Sequence, residues 1–369
     1  MESFRLSRWG RWGLVLGAGL LMIALFWLLF RGEEGADSVR PKVGFIIIGD
    51  VTRPGYNSAH YNGMKAACEK LGADLLLKSE VAENSGQCRK AVQELAAAGA
   101  NMIFLASYAY PAEVQDLTAD YPDIAFATVS AEVHTRNMTA YFPRLYQARY
   151  LSGALAAMRS KTGILGYVGA MQNSEVCRGI NAFTLGARRV NPKARVLVVW
   201  TDSWQDADRA TTGADLLLRA GADVLTYHQN EANVADVAEA HGIDFIGYNT
   251  PLEGYSEHNL TSVVARWEAY YTSILYRYLR GELNHTRNYW IGIDQGAVGL
   301  SGYSKEISAD MVVRLDSMLQ ELINNRLIFS GVLRDNTGQL RCGEGEAISD
   351  DALLERMNWL VEGVEVLGR

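Results

Sequence analysis

At 369 residues the chain is too long for one ordinary core and long enough for two α/β lobes. With 49% hydrophobic and 21% charged residues, its composition is that of a globular protein and excludes wholesale disorder. A formal net charge of −7, with no run of Lys and Arg, argues against nucleic acid as a partner, because phosphate binding needs a basic surface.

The first predicted element is an uncharged apolar run at residues 12–30 (WGLVLGAGLLMIALFWLLF). At ~1.5 Å per residue such a run spans a bilayer core of ~30 Å. Arg5, Arg8 and Arg11 precede it, and Glu33, Glu34 and Asp37 follow. This places residues 1–11 in the cytoplasm and everything after the run outside it. A retained transmembrane anchor is the leading reading. A cleaved signal peptide is the alternative, weakened by Arg31-Gly32-Glu33-Glu34 where small residues are expected at a cleavage site. Residues 31–41 read as a linker. The four cysteines, Cys68, Cys88, Cys177 and Cys342, fit neither a lipid-modified leader nor a zinc motif. Outside the cytoplasm they are either paired or buried as free thiols.

From Lys42 the chain alternates short apolar runs with helical periodicity. Strands are predicted at 43–48, 74–77, 102–106 and 124–129, with helices at 59–71, 88–98 and 112–121 between them. The pattern restarts with a helix at 145–158. Strands follow at 163–168, 196–200, 224–227 and 245–248, with helices at 176–190, 206–220 and 233–241. Strands alternating with helices of this length indicate βαβ units and parallel sheets. A strand at 260–264, a helix at 266–279, a strand region at 291–300 and a helix at 309–325 are too few for a third lobe. They add to the existing two, so the chain crosses between lobes more than once. The expected division is 42–138 with 250–285 in lobe 1, and 139–249 with 286–369 in lobe 2.

In such sheets ligands sit outside the carboxyl ends of the strands. The loops that matter therefore begin at Gly49, Ser107, Ser130, Gly169, Thr201, His228 and Asn249. The first holds Asp50, Tyr56, Asn57 and His60. The second opens with Ser107 and Tyr108, and the fifth holds Trp204 and Asp206. Aromatic walls with a few placed polar groups suit a flat heteroaromatic ligand. There is no phosphate-cradling Gly-rich loop, nucleophile elbow or zinc-binding His pair. Neither cofactor nor metal is expected, and an enzyme is the least favoured reading. Asp50 and Asp206 read as helix caps or ligand acceptors rather than as an acid–base pair.

Longer stretches carry a resemblance. GDVTRPGYNSAHYNG, RLYQARYLSGALAA, EVCRGINAFTLGARRVNPKARVLVVWTDSWQD, GADVLTYHQ and IGYN resemble the BMP (basic membrane protein, purine-nucleoside-receptor-like) family of ABC-transporter substrate-binding proteins, over residues 42–364. MNWLVEGV near the end looks like that family's closing helix. The resemblance implies a type I periplasmic-binding-protein fold: two doubly wound parallel-sheet lobes joined by a three-strand hinge, here preceded by one N-terminal transmembrane helix. It implies that Tyr56 stacks on the base with Asn57 beside it, that Trp204 is the second aromatic, and that Asp206 is the acidic residue after it. Ribose-gripping acids of the nucleoside-binding branch fall at Ser130 and Asn249 here, and a basic residue is replaced by Asp294.

The expected function is therefore an extracytoplasmic solute-binding protein of an ABC importer. It takes a purine base, a nucleoside or a similar small heteroaromatic and works with a permease. A membrane-tethered ligand sensor of the same fold is the alternative.

Overall fold

Short runs rich in Val, Ile, Leu and Phe, too apolar to alternate, form strands buried on both faces, as parallel sheets covered by helices require. The computed structural model describes residues 40–53, 55–129, 135–252, 254–285 and 288–368. The expected anchor at 12–30, linker residues 31–39 and Ser130 lie outside the described residues. Among the described residues no helix is long and apolar enough to cross a membrane.

The first lobe contains β1 (Lys42–Ile47), α1 (Tyr56–Leu71), β2 (Asp74–Lys78), α2 (Gln87–Ala97), β3 (Met102–Ala106), α3 (Tyr110–Val114), β4 (Ala125–Val129) and β5 (Met138–Pro143). With β11 (Tyr289–Ile291) they make a six-stranded, all-parallel sheet in the order β2-β1-β3-β4-β5-β11. The second lobe contains α4 (Leu145–Arg159), β6 (Ile164–Gly169), α5 (Ser174–Val190), β7 (Arg195–Trp200), α6 (Ala207–Arg219), β8 (Val224–His228), α7 (Asn233–Ala240), β9 (Asp244–Tyr248) and β10 (Asn259–Ala265). Its seven-stranded sheet runs β12-β10-β9-β8-β6-β7-β15, with β12 (Val298–Leu300) antiparallel and β15 (Val364–Val366) parallel to their neighbours. Between them in sequence lie α8 (Trp267–Leu279), which packs on α1, and α9 (Ala309–Ile323). A hairpin of β13 (Leu333–Arg334) and β14 (Leu340–Cys342) precedes β15. Pro41–Arg369 is one compact unit.

Three connections join the sheets: β5 to α4, β10 to α8, and β11 to β12. Several strands sit otherwise than their spacing suggests. β5 has no counterpart among the predicted strands, β10 belongs to the second sheet although 250–285 is expected in lobe 1, and β11 belongs to the first although 286–369 is expected in lobe 2. The single strand region at 291–300 is two three-residue strands in different sheets, separated by a 3-10 turn at Ile293–Gln295. Runs that short carry no periodicity. The helix expected at 112–121 is the short α3 followed by a 3-10 turn, Leu117–Asp120.

The expected closing helix at 357–364 is absent. Its backbone is committed elsewhere: the Trp359 carbonyl accepts from Asn181 Nδ2 at 2.9 Å, and Val361 N donates to Asn181 Oδ1 at 2.8 Å. Gly363 then takes φ +98°, which ends any helical path and leads into β15. The cysteines are all free and buried, and burial pushes the Cys68 thiol up to about 12.

Two glycines set the core of the second lobe. A Cβ on Gly153 of α4 would stand 1.9 Å from the Phe183 carbonyl, and one on Gly186 of α5 would stand 1.8 Å from the Tyr150 carbonyl. Only glycine at both sites lets α4 and α5 touch backbone to backbone. That contact fixes the first turn of α5 beside the β5–α4 crossing.

Because Pro41–Arg369 is self-contained, that segment expressed alone is expected to be soluble and to melt in one cooperative transition. Aggregation of the segment, with an ordered full-length chain, would place an essential contact upstream of residue 41.

Candidate functional site

Parallel register puts the loops of the second lobe at one edge: Gly169 pairs with Trp200 on one side and His228 on the other, so all three strands end level. The first-lobe loop after β1 meets this edge. Gly49 N donates to Asn57 Oδ1 at 3.2 Å, and Asp50 caps its own turn by accepting from Thr52 N at 2.8 Å. Those bonds hold the Asp50 carboxyl below its ordinary range. At Gly55 the chain takes φ +151°, and a Cβ there would lie 2.2 Å from the Asn230 carbonyl. Glycine is thus required for contact between the lobes. Tyr56 N donates to Asn230 O at 3.1 Å, and Thr250 Oγ1 donates to Gly55 O at 3.1 Å. The cleft is closed.

Closure gathers residues of both lobes around one cavity. The first lobe contributes Ile48, Tyr56, Ser107 and Tyr108; the second contributes Glu175, Trp204, His228, Asn230 and Tyr248. Tyr56 is pinned through its hydroxyl, which donates to Ala106 O at 3.4 Å, and burial raises its pKa well above the ordinary value. Ser107 is oriented by donating to Glu83 Oε1 at 2.6 Å. Trp204 sits in a turn whose carbonyl accepts from Asn230 N at 2.7 Å, with its ring 5.9 Å from that of His228. At the mouth, Asp50, Glu80, Glu83, Asp202 and Glu231 line a wider groove, with Arg53 3.8 Å from Glu231 and Arg209 3.9 Å from Asp202.

Of the residues expected from sequence, Tyr56, Ser107, Tyr108 and Trp204 share this cavity. Asp50 stands at its mouth. The other described ones are elsewhere, each for a visible reason. Asn57 is consumed by the Gly49 bond. His60 lies one helical turn beyond Tyr56 on the buried side of α1, fully buried, with its ring centroid 3.7 Å from that of Trp267 and Nδ1 2.5 Å from Tyr271 OH. Burial depresses its pKa well below 6.5. Asp206 is the N-cap of α6 and accepts from Arg209 N at 2.9 Å. Asn249 has φ +64° and faces a different groove, because successive residues at a strand end point to opposite faces and Tyr248 takes the cavity side. Asp294 is exposed in the 3-10 turn of the β11–β12 connection.

Substituting Asp206 by Ala is accordingly expected to cost about 1 kcal/mol of stability and to leave ligand affinity within about twofold (~0.4 kcal/mol). Denaturant melts and titration of the same variant check both; a large affinity loss at unchanged stability would return Asp206 to the site.

Glu175, Asn230 and Tyr248 were not singled out from sequence, and His228 only as the start of a loop. Asn173 caps α5 by accepting from Val176 N at 2.9 Å, which aims Glu175 in the first turn at the cavity. Glu175 Oε1 is 3.5 Å from His228 Nε2, and that nitrogen is 2.8 Å from Tyr248 OH. Burial depresses the His228 pKa, partly offset by Glu175, so the imidazole is neutral at pH 7. The cavity thus offers aromatic faces from both lobes, neutral polar groups and one carboxylate.

A family model described as "ABC transporter substrate-binding protein PnrA-like" matches residues 40–331. A purine-binding protein of Brucella abortus is 32% identical over 329 residues, covering 88% of this chain and 93% of that one. A putative ABC transporter glucose-binding protein of Haloferax volcanii is 28% identical, covering 90% and 83%. Among solved structures, an ABC transporter solute-binding protein from Conexibacter woesei superposes with a TM-score of 0.64 at 19% identity, over 78% of this chain and 97% of that one. The fold, the closed cleft and these matches agree: the chain belongs to the Bmp family of PnrA-like ABC transporter substrate-binding proteins.

Proposed function

We propose that this protein captures a neutral purine base, or a closely similar heteroaromatic, outside the cytoplasm and delivers it to an ABC permease. The observation that carries the reading is the pairing of Tyr56 and Trp204, from opposite lobes, on one cavity between the lobes. A flat ring between the two would bridge the lobes, so its binding energy favours the closed state directly. Glu175 would accept ring N–H groups, and His228 and Asn230 would complete the polar edge. The carboxylates at the mouth disfavour phosphorylated ligands. The Arg-flanked apolar run at 12–30 would hold the protein beside its permease.

Neither Asn249 nor Asp294 lines the cavity, so neither supplies a grip on ribose. Nucleosides are therefore expected to bind no better than the free bases. Calorimetry with adenine, adenosine, guanine and guanosine checks this. A nucleoside preference above roughly tenfold, ~1.4 kcal/mol, would show that other groups hold the sugar. The function itself is tested by mass spectrometry of small molecules released when the purified full-length chain is denatured: a purine is expected, and a co-purified hexose in its place would overturn the reading.

A further inference from the structure

A second, smaller cavity adjoins the ligand cavity and shares Glu175 and His228 with it. Its charged lining is unbalanced. Arg149 and Arg178 are 1% and 3% exposed, and Glu175 is the sole carboxylate beside them; Phe142, Leu145, Tyr146 and Gly179 carry no charge. Arg149 spends its terminal nitrogens on neutral acceptors, Thr226 Oγ1 at 3.0 Å and Tyr227 O at 2.7 Å, and its guanidinium lies over the rings of Tyr248 and Tyr167. Arg178 bonds only the Ser174 and Leu353 carbonyls. Two buried cations facing one anion leave a net positive charge in a low-dielectric interior, which is costly unless compensated.

Three buried polar atoms here have no partner: Arg149 Nε, Tyr167 OH and His228 Nδ1. Their side chains meet beside Gly179, where a Cβ would lie 3.4 Å from Tyr167 OH, 3.8 Å from Arg149 Cγ and 3.9 Å from His228 Nδ1. All three are able to donate. Arg149 Nε has no other capacity. His228 Nδ1 donates in the tautomer that carries the ring proton there, in which the Tyr248 hydroxyl, 2.8 Å from Nε2, donates to that nitrogen. A water molecule prefers a mixed set of donors and acceptors, whereas a set of donors alone under net positive charge matches an anion. We propose that this cavity is a binding site for a small monovalent anion of chloride size, held by Arg149 and His228 with the Tyr167 hydroxyl reaching it past Gly179. Through the His228 tautomer the anion would keep Nε2 an acceptor at the wall of the ligand cavity.

The test uses the purified full-length chain. Crystals grown in bromide are expected to show an anomalous peak beside Gly179. The melting midpoint is expected to rise by about 5 °C in chloride at roughly 100-fold above its Kd, relative to bulky gluconate at equal ionic strength. Gly179→Ala inserts a methyl group at ordinary van der Waals distances from its neighbours, so the helix folds, but the methyl covers the Tyr167 hydroxyl. The chloride shift is expected to vanish in Gly179→Ala and to shrink in Tyr167→Phe. Equal midpoints in chloride and gluconate would overturn the proposal. So would a chloride shift that persists in Gly179→Ala, which would put the anion elsewhere. Bromide density without a chloride-dependent midpoint would mark an adventitious ion only.

Discussion

Trp204→Ala is expected to weaken purine binding by about two orders of magnitude, ~2.7 kcal/mol, with little change in melting temperature. Stacking contributes ~0.5–1.5 kcal/mol beyond burial. The remainder is ligand and ring surface returned to water, at ~25 cal/mol per Å². The fold should tolerate the change because the ring is half-buried and its turn is held by main-chain bonds, Asn230 N to Trp204 O among them, that survive the substitution. Trp204→Phe keeps a π face and should lose far less. If the indole were chiefly a packing element, the pattern would reverse: Trp204→Ala would lose stability first and affinity only as a consequence. Titration and thermal melts on both variants separate the two.

Glu175→Gln is expected to weaken binding by about thirtyfold, ~2 kcal/mol, the difference between a charge-assisted and a neutral hydrogen bond in a closed site. The loss should depend on the ligand. A base carrying a ring N–H, such as hypoxanthine, should suffer fully, and its N1-methylated analogue should suffer much less, since it has no proton to offer there. The two ligands and two proteins form a cycle that isolates the contact. A parallel loss for both ligands would mean that Glu175 acts by balancing Arg149 and Arg178 and not by touching the base. A modest drop in stability is also expected, because a carboxylate in the first turn of α5 interacts favourably with the helix N-terminus by ~0.3–1 kcal/mol.

The alternation of apolar runs and helical segments was legible because the central strands, β1, β3, β4, β6 and β8, are buried on both faces and bounded by glycine or polar turns. The lobe crossings were not legible. β11 and β12 are three residues each, too short for any period, and β10 reads the same whichever sheet receives it. Half of the cavity followed from one rule, that ligands sit at strand carboxyl ends, and that rule found Tyr56, Ser107, Tyr108 and Trp204. It failed for His60 because that residue lies one helical turn past Tyr56, on the face of α1 that packs against Trp267 rather than the cleft. It failed for Glu175 because an acidic residue in a first helical turn looks like ordinary dipole compensation. Only the register of β6 with β8, and of β8 with β9, brings His228 and Tyr248 to it.

The central claim is that the cleft holds a purine between Tyr56 and Trp204. It is tested most directly by calorimetric titration of the purified, ligand-stripped chain with adenine, guanine and hypoxanthine in parallel with glucose. The expected result is 1:1 binding of at least one purine with Kd of about 1 μM or tighter, ~8 kcal/mol, and no heat with glucose. Binding of glucose with no purine binding would contradict the account.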